Sequence, residues 1–297
     1  MKVKFFLAAF LVFAGNMVYS QLNSNVYVVD TVTKLPVPFV SIQFVDTNIG
    51  MYTNDLGFFS RPTEKKIQLS CVGYFSKLLE LDNSTDTLFM LPQIYNLPEV
   101  VISPVKNKKT IMLGYFNAKH SFSYSQSSGK ELAVFIANVQ GKDFLLKDVV
   151  LRIDRRKVVL RDFDFVSVFK LNIYRSGTRK EIGSLINTKD LIYSSEILEK
   201  KTIINLSDLN IIVPKDGIYI GIEWVGTLRR PSSELYIESK NSIEPFISGT
   251  FDITNSFVYE RNTWGDNKWI LFDKGHVYSK LAGKSNGFTP CISIVGY

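Results

Sequence analysis

The chain is poor in the residues that most often build metal and nucleophilic sites. Its 297 residues include only two histidines, His120 and His276, and two cysteines, Cys71 and Cys291. Structural zinc sites usually show closely paired ligands, and these four residues lie far apart in sequence. The sequence also has no His-Glu-x-x-His, Gly-x-Ser-x-Gly or glycine-rich phosphate motif. It therefore predicts a protein that is not an enzyme and that holds no metal and no cofactor.

The two cysteines permit one disulfide, which an exported protein could form. Cys71, however, continues the inward positions of a strand pattern that begins at Ile67 and Leu69. Cys291 lies in the last segment, far from Cys71 in sequence. We expect two small buried thiols instead of a disulfide.

Long apolar runs are missing everywhere except at the N-terminus. Lys2 and Lys4 precede the apolar segment 5–14, and small residues suit cleavage before Gln21. Residues 1–20 are therefore predicted to be a signal peptide, and the mature chain is predicted to have no membrane-spanning segment. Export would place the protein in the periplasm, at the outer membrane or on the cell surface.

The formal net charge is +7, but the basic residues are scattered among the segments 106–109, 152–157 and 175–180. A basic patch for polyanions is one interpretation. Solvated strand ends and loops are the other, and they fit better because no aromatic-rich nucleic-acid motif accompanies the charge. We expect no nucleic-acid partner.

Helical periodicity is scarce, and its best example is the short segment 191–200. Alternation with a period of two dominates, as in residues 40–44, 67–71, 169–174 and 218–225. One face of each predicted strand is apolar and the other is mixed. Antiparallel sandwiches show this pattern, because one sheet face packs and the other meets water.

A boundary is predicted near the segment 103–110, which contains a proline and clustered charges and has no apolar periodicity. The fold class expected is all-β, with two antiparallel β-sandwich domains. A small transthyretin-like or immunoglobulin-like sandwich would span residues 22–104, and residues 105–110 would form a linker. A larger, jelly-roll-like sandwich would span residues 111–297.

The segment 53–60, TNDLGFFS, could be either a loop that binds a ligand or a turn that connects two strands. Thr53, Asn54 and Asp55 can bond nearby backbone N–H groups, and a calcium loop would need more oxygen ligands. Gly50 and Gly57 suit positions with positive φ. We expect a hairpin turn, after which Phe58 enters the core.

Residues 26–74 resemble the carboxypeptidase-regulatory-like domain of exported Bacteroidetes proteins. The matching positions are Asp30, Thr33, Pro36, Pro38, Val40, Ser41, Ile42, Gly50, Thr53, Asn54, Gly57, Phe58, Ser70, Val72, Gly73 and Tyr74. Val26 departs from the family pattern, which usually has glycine near that position. The segments 204–226 and 288–297 resemble, more weakly, the C-terminal domain of stand-alone members.

The resemblance implies a sandwich of roughly seven strands that acts as an accessory module without peptidase chemistry. In many relatives such a domain precedes the plug and barrel of a TonB-dependent receptor. Fewer than two hundred residues follow it here, which is too few for that class of barrel.

One carboxylate pair was a candidate for chemistry. Asp162 and Asp164 project to the same strand face and could serve a glycosidase. Arg161 is adjacent, so an exposed, ion-paired face is the preferred interpretation.

The three tryptophans all lie in the second predicted domain. Trp224 continues the apolar face of residues 218–222 and is predicted to be in the core. Trp264 and Trp269 flank a turn, and an exposed pair could stack on sugar rings or anchor a partner. The preferred interpretation is that at least one of them fills the sandwich core.

The sequence thus favours a non-catalytic, exported cell-envelope protein that binds a protein or a surface component. The alternative is a carbohydrate-binding accessory of glycan uptake that uses Trp264 and Trp269. A hydrolase whose site assembles only in three dimensions is a third hypothesis.

Overall fold

The computed structural model describes residues 25–93, 109–154, 164–178, 180–254, 256–272 and 286–297. Within these ranges the chain is all-β, and helical geometry is confined to two 3-10 turns, Ser195–Ile197 and Ser207–Leu209. Curled, mostly antiparallel sheets face each other across apolar cores. The predicted all-β class of antiparallel sandwich is confirmed.

The N-terminal part consists of seven strands in two sheets, with the orders β4-β1-β7 and β3-β2-β5-β6. All their pairings are antiparallel except that of β1 with β7, which is parallel. Their apolar faces enclose one core that includes Val28, Ile42, Phe59, Leu69 and Met90. The strands are β1 (Asn25–Asp30), β2 (Ser41–Phe44), β3 (Gly50–Tyr52), β4 (Phe58–Ser60), β5 (Lys66–Ser70), β6 (Lys77–Glu80) and β7 (Thr87–Met90).

The segment 53–60 is a turn, as predicted, but it does not close a hairpin. Strand β3 pairs with β2 and strand β4 pairs with β1, so the turn leads from one sheet to the other. The Asn54 Oδ1 atom accepts bonds from the backbone N–H groups of Leu56 and Phe58, both at 3.0 Å. Gly57 has the predicted positive φ, +74°. A sheet-to-sheet corner of this kind explains the polar residues without any ligand.

Two residues near this turn have roles other than those expected. Phe59, not Phe58, enters the core, and the ring of Phe58 instead contacts that of Tyr27 at 5.5 Å. Gly50 lies inside β3 without a positive φ, and the constraint on it is space. A Cβ atom there would lie 2.5 Å from the Ile42 carbonyl oxygen and 2.6 Å from Trp264 Nε1.

Two residues matched by the family resemblance bond to each other. Asp30 caps the turn after β1 by accepting the backbone N–H groups of Val32 and Thr33. Its other oxygen accepts the Tyr74 hydroxyl at 2.9 Å. The backbone bonds, Thr33 first, hold the pKa of Asp30 below its ordinary value. The contact joins the end of β1 to the loop between β5 and β6.

The second part contains sixteen strands in three sheets. The largest sheet has the order β13-β12-β17-β10-β20-β21, with β14 beside β12 and β18 beside β17. The next has the order β15-β11-β23-β8, with β16 beside β11, and the smallest has the order β22-β19-β9. The strands are β8 (Ile111–Gly114), β9 (Phe122–Tyr124), β10 (Lys130–Ile136), β11 (Phe144–Arg152), β12 (Phe165–Ser176), β13 (Ile182–Leu185), β14 (Ile192–Ser194), β15 (Lys201–Asn205), β16 (Ile212–Val213), β17 (Ile218–Arg229), β18 (Glu234–Tyr236), β19 (Ile247–Thr250), β20 (Val258–Asn262), β21 (Ile270–Leu271), β22 (Thr289–Pro290) and β23 (Ile292–Gly296).

The three sheets of the second part share a single apolar core. The inward positions of β17, 218, 220, 222 and 224, are all fully buried there, so the prediction of Trp224 as a core residue is confirmed. Trp224 also donates its indole N–H to the Pro245 carbonyl at 3.2 Å. The opposite face of the same strand contacts the N-terminal sandwich.

The segment 191–200 does not form the helix that its spacing suggested. Ile192–Ser194 is strand β14, which pairs with β12, and a single 3-10 turn follows it. The pattern is too short to support a helix alone, and the edge of the large sheet offers the backbone a ready partner.

The two parts are joined by a third apolar cluster that draws residues from both. Phe39 and Tyr52 of the N-terminal part pack with Val225, Leu228 and Trp264 of the second part. The predicted domain division remains a prediction, because residues 94–108 lie outside the described ranges. Within those ranges there is no helix that is long and apolar enough to cross a membrane.

Several sequence predictions concern residues outside the described ranges. They are the signal peptide at 1–20, most of the linker at 105–110, Arg161, Asp162 and His276. Asp164 is described and is an exposed turn residue just before β12.

We expect Gly50→Ala to destabilise the protein by about 1–3 kcal/mol, because the added methyl group overpacks the space against Ile42 and Trp264. Urea unfolding measures the effect. Gly177→Ala is the control, because the nearest atom to its Cβ, the Glu181 carbonyl oxygen, lies 3.3 Å away. Equal midpoints for the two variants would contradict the packing at Gly50.

Candidate functional site

A row of four charged residues crosses four neighbouring strands of the large sheet. The register places Lys170 of β12 opposite Glu223 of β17, and Glu223 opposite Glu131 of β10. Glu131 in turn lies opposite Arg261 of β20. This charged row lies on the sheet face that turns towards the N-terminal sandwich, and Lys170, Glu223 and Glu131 are at most 7% exposed.

Each end of the charged row is closed by an ion pair. Arg261 Nη2 lies 2.6 Å from Glu131 Oε2. Lys170 Nζ donates to Asp190 Oδ2 at 2.8 Å and to the Phe39 carbonyl of the N-terminal sandwich at 2.9 Å. Burial opposes the charge of Lys170, but the carboxylates of Asp190 and Glu223 outweigh burial and raise its pKa. Lys170 is therefore a fixed cation.

The two central carboxyl groups are bridged by one amide. Asn172 Nδ2 donates to Glu131 Oε1 at 2.9 Å and to Glu223 Oε2 at 3.1 Å. The Tyr174 hydroxyl donates to Glu131 at 2.7 Å, and the Tyr52 hydroxyl of β3 donates to Glu223 at 2.7 Å. Both carboxyl groups are thus fully enclosed by protein donors.

A glycine makes room for this arrangement. A Cβ atom on Gly221 would lie 2.4 Å from Glu131 Oε1. Any larger residue at this position of β17 would displace the Glu131 carboxylate from Asn172 and Tyr174.

Glu223 is the member of the pair whose pKa is raised. Burial raises it, and the negative charge of Glu131 raises it further against the attraction of Lys170. If Glu223 takes up a proton, its bond with Tyr52 can reverse, because the Tyr52 hydroxyl has a second acceptor in Thr263 Oγ1 at 3.2 Å.

A cleft of about 380 Å³ opens beside the charged row, between the two sandwiches. The N-terminal sandwich contributes Ser70, Cys71, Tyr74 and Ser76 to it, and the second part contributes Asp190 among others. Within the described part of the chain, no group of three or more His, Cys, Asp or Glu residues is placed to hold a metal ion. The polar groups that line the cleft include Lys170, Asn172 and Asp190, which are hydrogen-bonded to other protein groups.

Cys71 and Cys291 are both free, as predicted, and Cys291 is fully buried while Cys71 is half-buried at the cleft. The Cys71 thiol donates to Asp190 Oδ2 at 3.3 Å. Burial, followed by the negative charge of Asp190, raises the pKa of this thiol well above its ordinary value. A thiol of this kind is a poor nucleophile.

The predicted surface role of Trp264 is wrong. Only 4% of the residue is exposed, because it is clamped between the two sandwiches. Its ring lies 5.4 Å from that of Tyr52, and its indole N–H donates to Ser41 Oγ at 3.2 Å. The surface that Trp264 contacts belongs to the same chain.

Trp269 is half-buried and does not form an exposed pair with Trp264. The Arg261 guanidinium lies 4.3 Å from the centre of its ring, and the Tyr174 ring meets it edge-on at 5.7 Å. One face of Trp269 therefore covers the end of the charged row. His120 does not line the cleft, and its Nε2 atom lies 3.7 Å from Asp154 Oδ2.

Sequence reasoning missed Glu131, Asp190 and the role of Lys170. The alternating pattern had placed Lys170, Asn172 and Glu223 on the mixed faces of their strands. The signal that could have found the site is the presence of charged residues at the centres of long apolar strands. Only the register, however, brings them into one row.

Comparisons with known proteins find no family model and no curated protein that matches this chain. The resemblance to the carboxypeptidase-regulatory-like domain therefore remains a prediction.

We expect Trp264→Ala to destabilise the protein by about 3–5 kcal/mol, as the loss of a large buried aromatic ring usually does. Trp269→Ala should cost less, because that residue is half-buried. Urea unfolding compares the two variants. A Trp264→Ala protein of normal stability would contradict its role between the sandwiches.

We expect Glu223→Gln to change how stability depends on pH. Because its native pKa is raised above 4.5, Glu223 contributes most to stability below that pH, and the contribution falls as pH rises through the native pKa. The glutamine variant should lack this fall, so its free energy of unfolding should rise relative to that of the wild type as pH increases. Denaturant unfolding at a series of pH values tests this, with the exposed Glu80→Gln as control. If the stability of the variant changed with pH in parallel with that of the wild type, the raised pKa of Glu223 would be refuted.

Proposed function

We propose that this is a non-catalytic, exported protein of the cell envelope, and that it binds a protein partner through its N-terminal sandwich. The observation that carries the proposal is an exposed apolar surface on that sandwich. Half of the exposed large hydrophobic side chains lie within residues 25–93, although these are well under half of the described residues.

Two of these side chains, Tyr27 and Phe89, form a continuous surface with the half-buried Phe58 and Val29 on the outer side of the sheet β4-β1-β7, which we call the aromatic face. Phe58 pairs with Tyr27, and Phe89 pairs with Val29, in adjacent strand positions. Tyr27 is 42% and Phe89 43% exposed. Contiguous apolar surface of this kind on a soluble domain usually marks an interaction site.

The charges beside the aromatic face indicate the chemistry of the partner. Lys34 Nζ lies 5.4 Å from the centre of the Phe89 ring, and Lys77 Nζ donates to the Phe89 carbonyl at 3.2 Å. A partner with apolar side chains bordered by carboxylates would complement this surface. We therefore expect an envelope protein with an acidic rim around its contact.

The charged row supports binding over catalysis. Its carboxyl groups are held by Arg261, Asn172, Tyr174 and Tyr52, and its lysine is held by Asp190. Groups held in this way stabilise a structure, whereas a general base must reach a substrate proton. Because both carboxyl groups of the described row are held in this way, the row does not favour the hydrolase hypothesis.

The alternative, a carbohydrate-binding accessory protein, was based on an exposed pair of tryptophans, which the structure does not contain among its described residues. Trp264 is buried, and one face of Trp269 is covered by Arg261. What favours a glycan now is the cleft beside the charged row, whose polar lining suits a small hydrated molecule.

We expect the double variant Tyr27→Ser/Phe89→Ser to lose its partner, because it removes the two largest exposed rings of the aromatic face. A tagged copy, cross-linked mildly in its native envelope and purified, is analysed by mass spectrometry for a stoichiometric partner. Val139→Ser/Ile203→Ser is the control, since it removes two exposed apolar side chains from the second part. Circular dichroism verifies that both variants fold.

A partner that both variants retain would refute the aromatic face as the contact. Sedimentation of the purified protein tests for pairing of two copies. A dimer that only Tyr27→Ser/Phe89→Ser disperses would replace the envelope partner with self-association.

A further inference from the structure

We propose that the cleft between the sandwiches binds a small, neutral molecule rich in hydroxyl groups, such as a mono- or disaccharide, which donates a hydrogen bond to Asp190. The site is separate from the aromatic face. The inference does not depend on the partner proposed above, and either can fail alone.

Asp190 supplies the first argument. Its side chain is 8% exposed and lines the cleft. Its Oδ2 atom accepts from Lys170 and from the Cys71 thiol, but its Oδ1 atom has no donor among the described residues. A buried carboxylate oxygen without a partner costs about 1–3 kcal/mol or more. A bound hydroxyl group would supply the missing donor.

The charge balance of the cleft selects a neutral ligand. Lys170 is neutralised by Asp190, and Arg261 is neutralised by Glu131. Glu223, the remaining carboxyl group at the cleft, accepts from Tyr52 and Asn172, and burial raises its pKa, which disfavours its charged form. A ligand with a full charge would meet side chains whose charges are already paired. Hydroxyl groups, by contrast, match the fixed donors and acceptors.

The size and walls of the cleft agree with this ligand class. Its volume of about 380 Å³ is at the small end of the range of ligand pockets, roughly 300–1,000 Å³. Ser70 and Ser76 contribute hydroxyl groups, and Tyr74 contributes a ring against which a sugar could pack. Ser76 is exposed and lies at the mouth.

Isothermal titration of the mature chain tests the proposal with glucose, galactose, N-acetylglucosamine, maltose, cellobiose and myo-inositol. Spermidine and inorganic phosphate serve as ionic probes. We expect at least one neutral compound to bind, and Asp190→Asn to weaken it by about tenfold or more, as the loss of a hydrogen bond to a charged group does.

Asp190→Asn could disturb Lys170, so a second variant leaves the ion pairs intact. Ser76→Leu blocks the mouth of the cleft and should abolish binding. Ser84→Leu, an equally exposed serine away from the cleft, should leave binding unchanged.

Three results would overturn the proposal. They are a panel without any binding, binding that Ser76→Leu leaves intact, and binding of the ionic probes alone.

Discussion

The structure depends on the burial of the charged row between its two sandwiches. Two carboxyl groups side by side in an apolar environment are tolerated only if one is neutral or both are matched by cations and donors. Here Lys170 and Arg261 close the ends, Asn172 bridges the middle, and burial raises the pKa of Glu223 so that its charged form is disfavoured. Removing one partner would leave a buried charge uncompensated, which is far costlier than never having had the pair.

The same constraint explains why the two sandwiches lie against each other. The large sheet alone cannot satisfy its own charged face, and the N-terminal sandwich supplies two of the missing groups. They are the Tyr52 hydroxyl on Glu223 and the Phe39 carbonyl on Lys170. Trp264 then fills the apolar part of the contact, and only a glycine at position 50 leaves room for its ring. The hydrogen bonds fix which groups of the two sandwiches meet, and the apolar packing stabilises the contact.

Sequence reasoning recovered much of the fold and little of the site, for identifiable reasons. The alternation in residues 169–174 and 218–225 correctly indicated strands with one apolar face, because the period of side chains in a strand is fixed by its backbone. The polar face was expected to meet water. It is buried instead, because a second sandwich covers it, and no local pattern reports what will cover a face. The hint at a helix in residues 191–200 failed for the same reason, since a sheet edge competed for the backbone.

The register of the strands is the main reason why the site could not be predicted from the sequence. Glu131, Glu223 and Lys170 are ordinary residues in the sequence, and they become a site only because three strands align them. A shift of one residue would reverse which side chains face the core, so the apolar alternation fixes the register wherever one face is packed. The charges are thus positioned by the hydrophobic residues that alternate with them.

The position of Asp190 is not set by strand register, because Asp190 lies in the loop before β14 and not on a strand. Its position follows from Lys170 and Cys71, which hold its Oδ2 atom, whereas its Oδ1 atom has no donor among the described residues. Among the described residues around the row, the strands therefore provide a satisfied network and the loop provides an acceptor without a donor, which is where a ligand would gain most by binding.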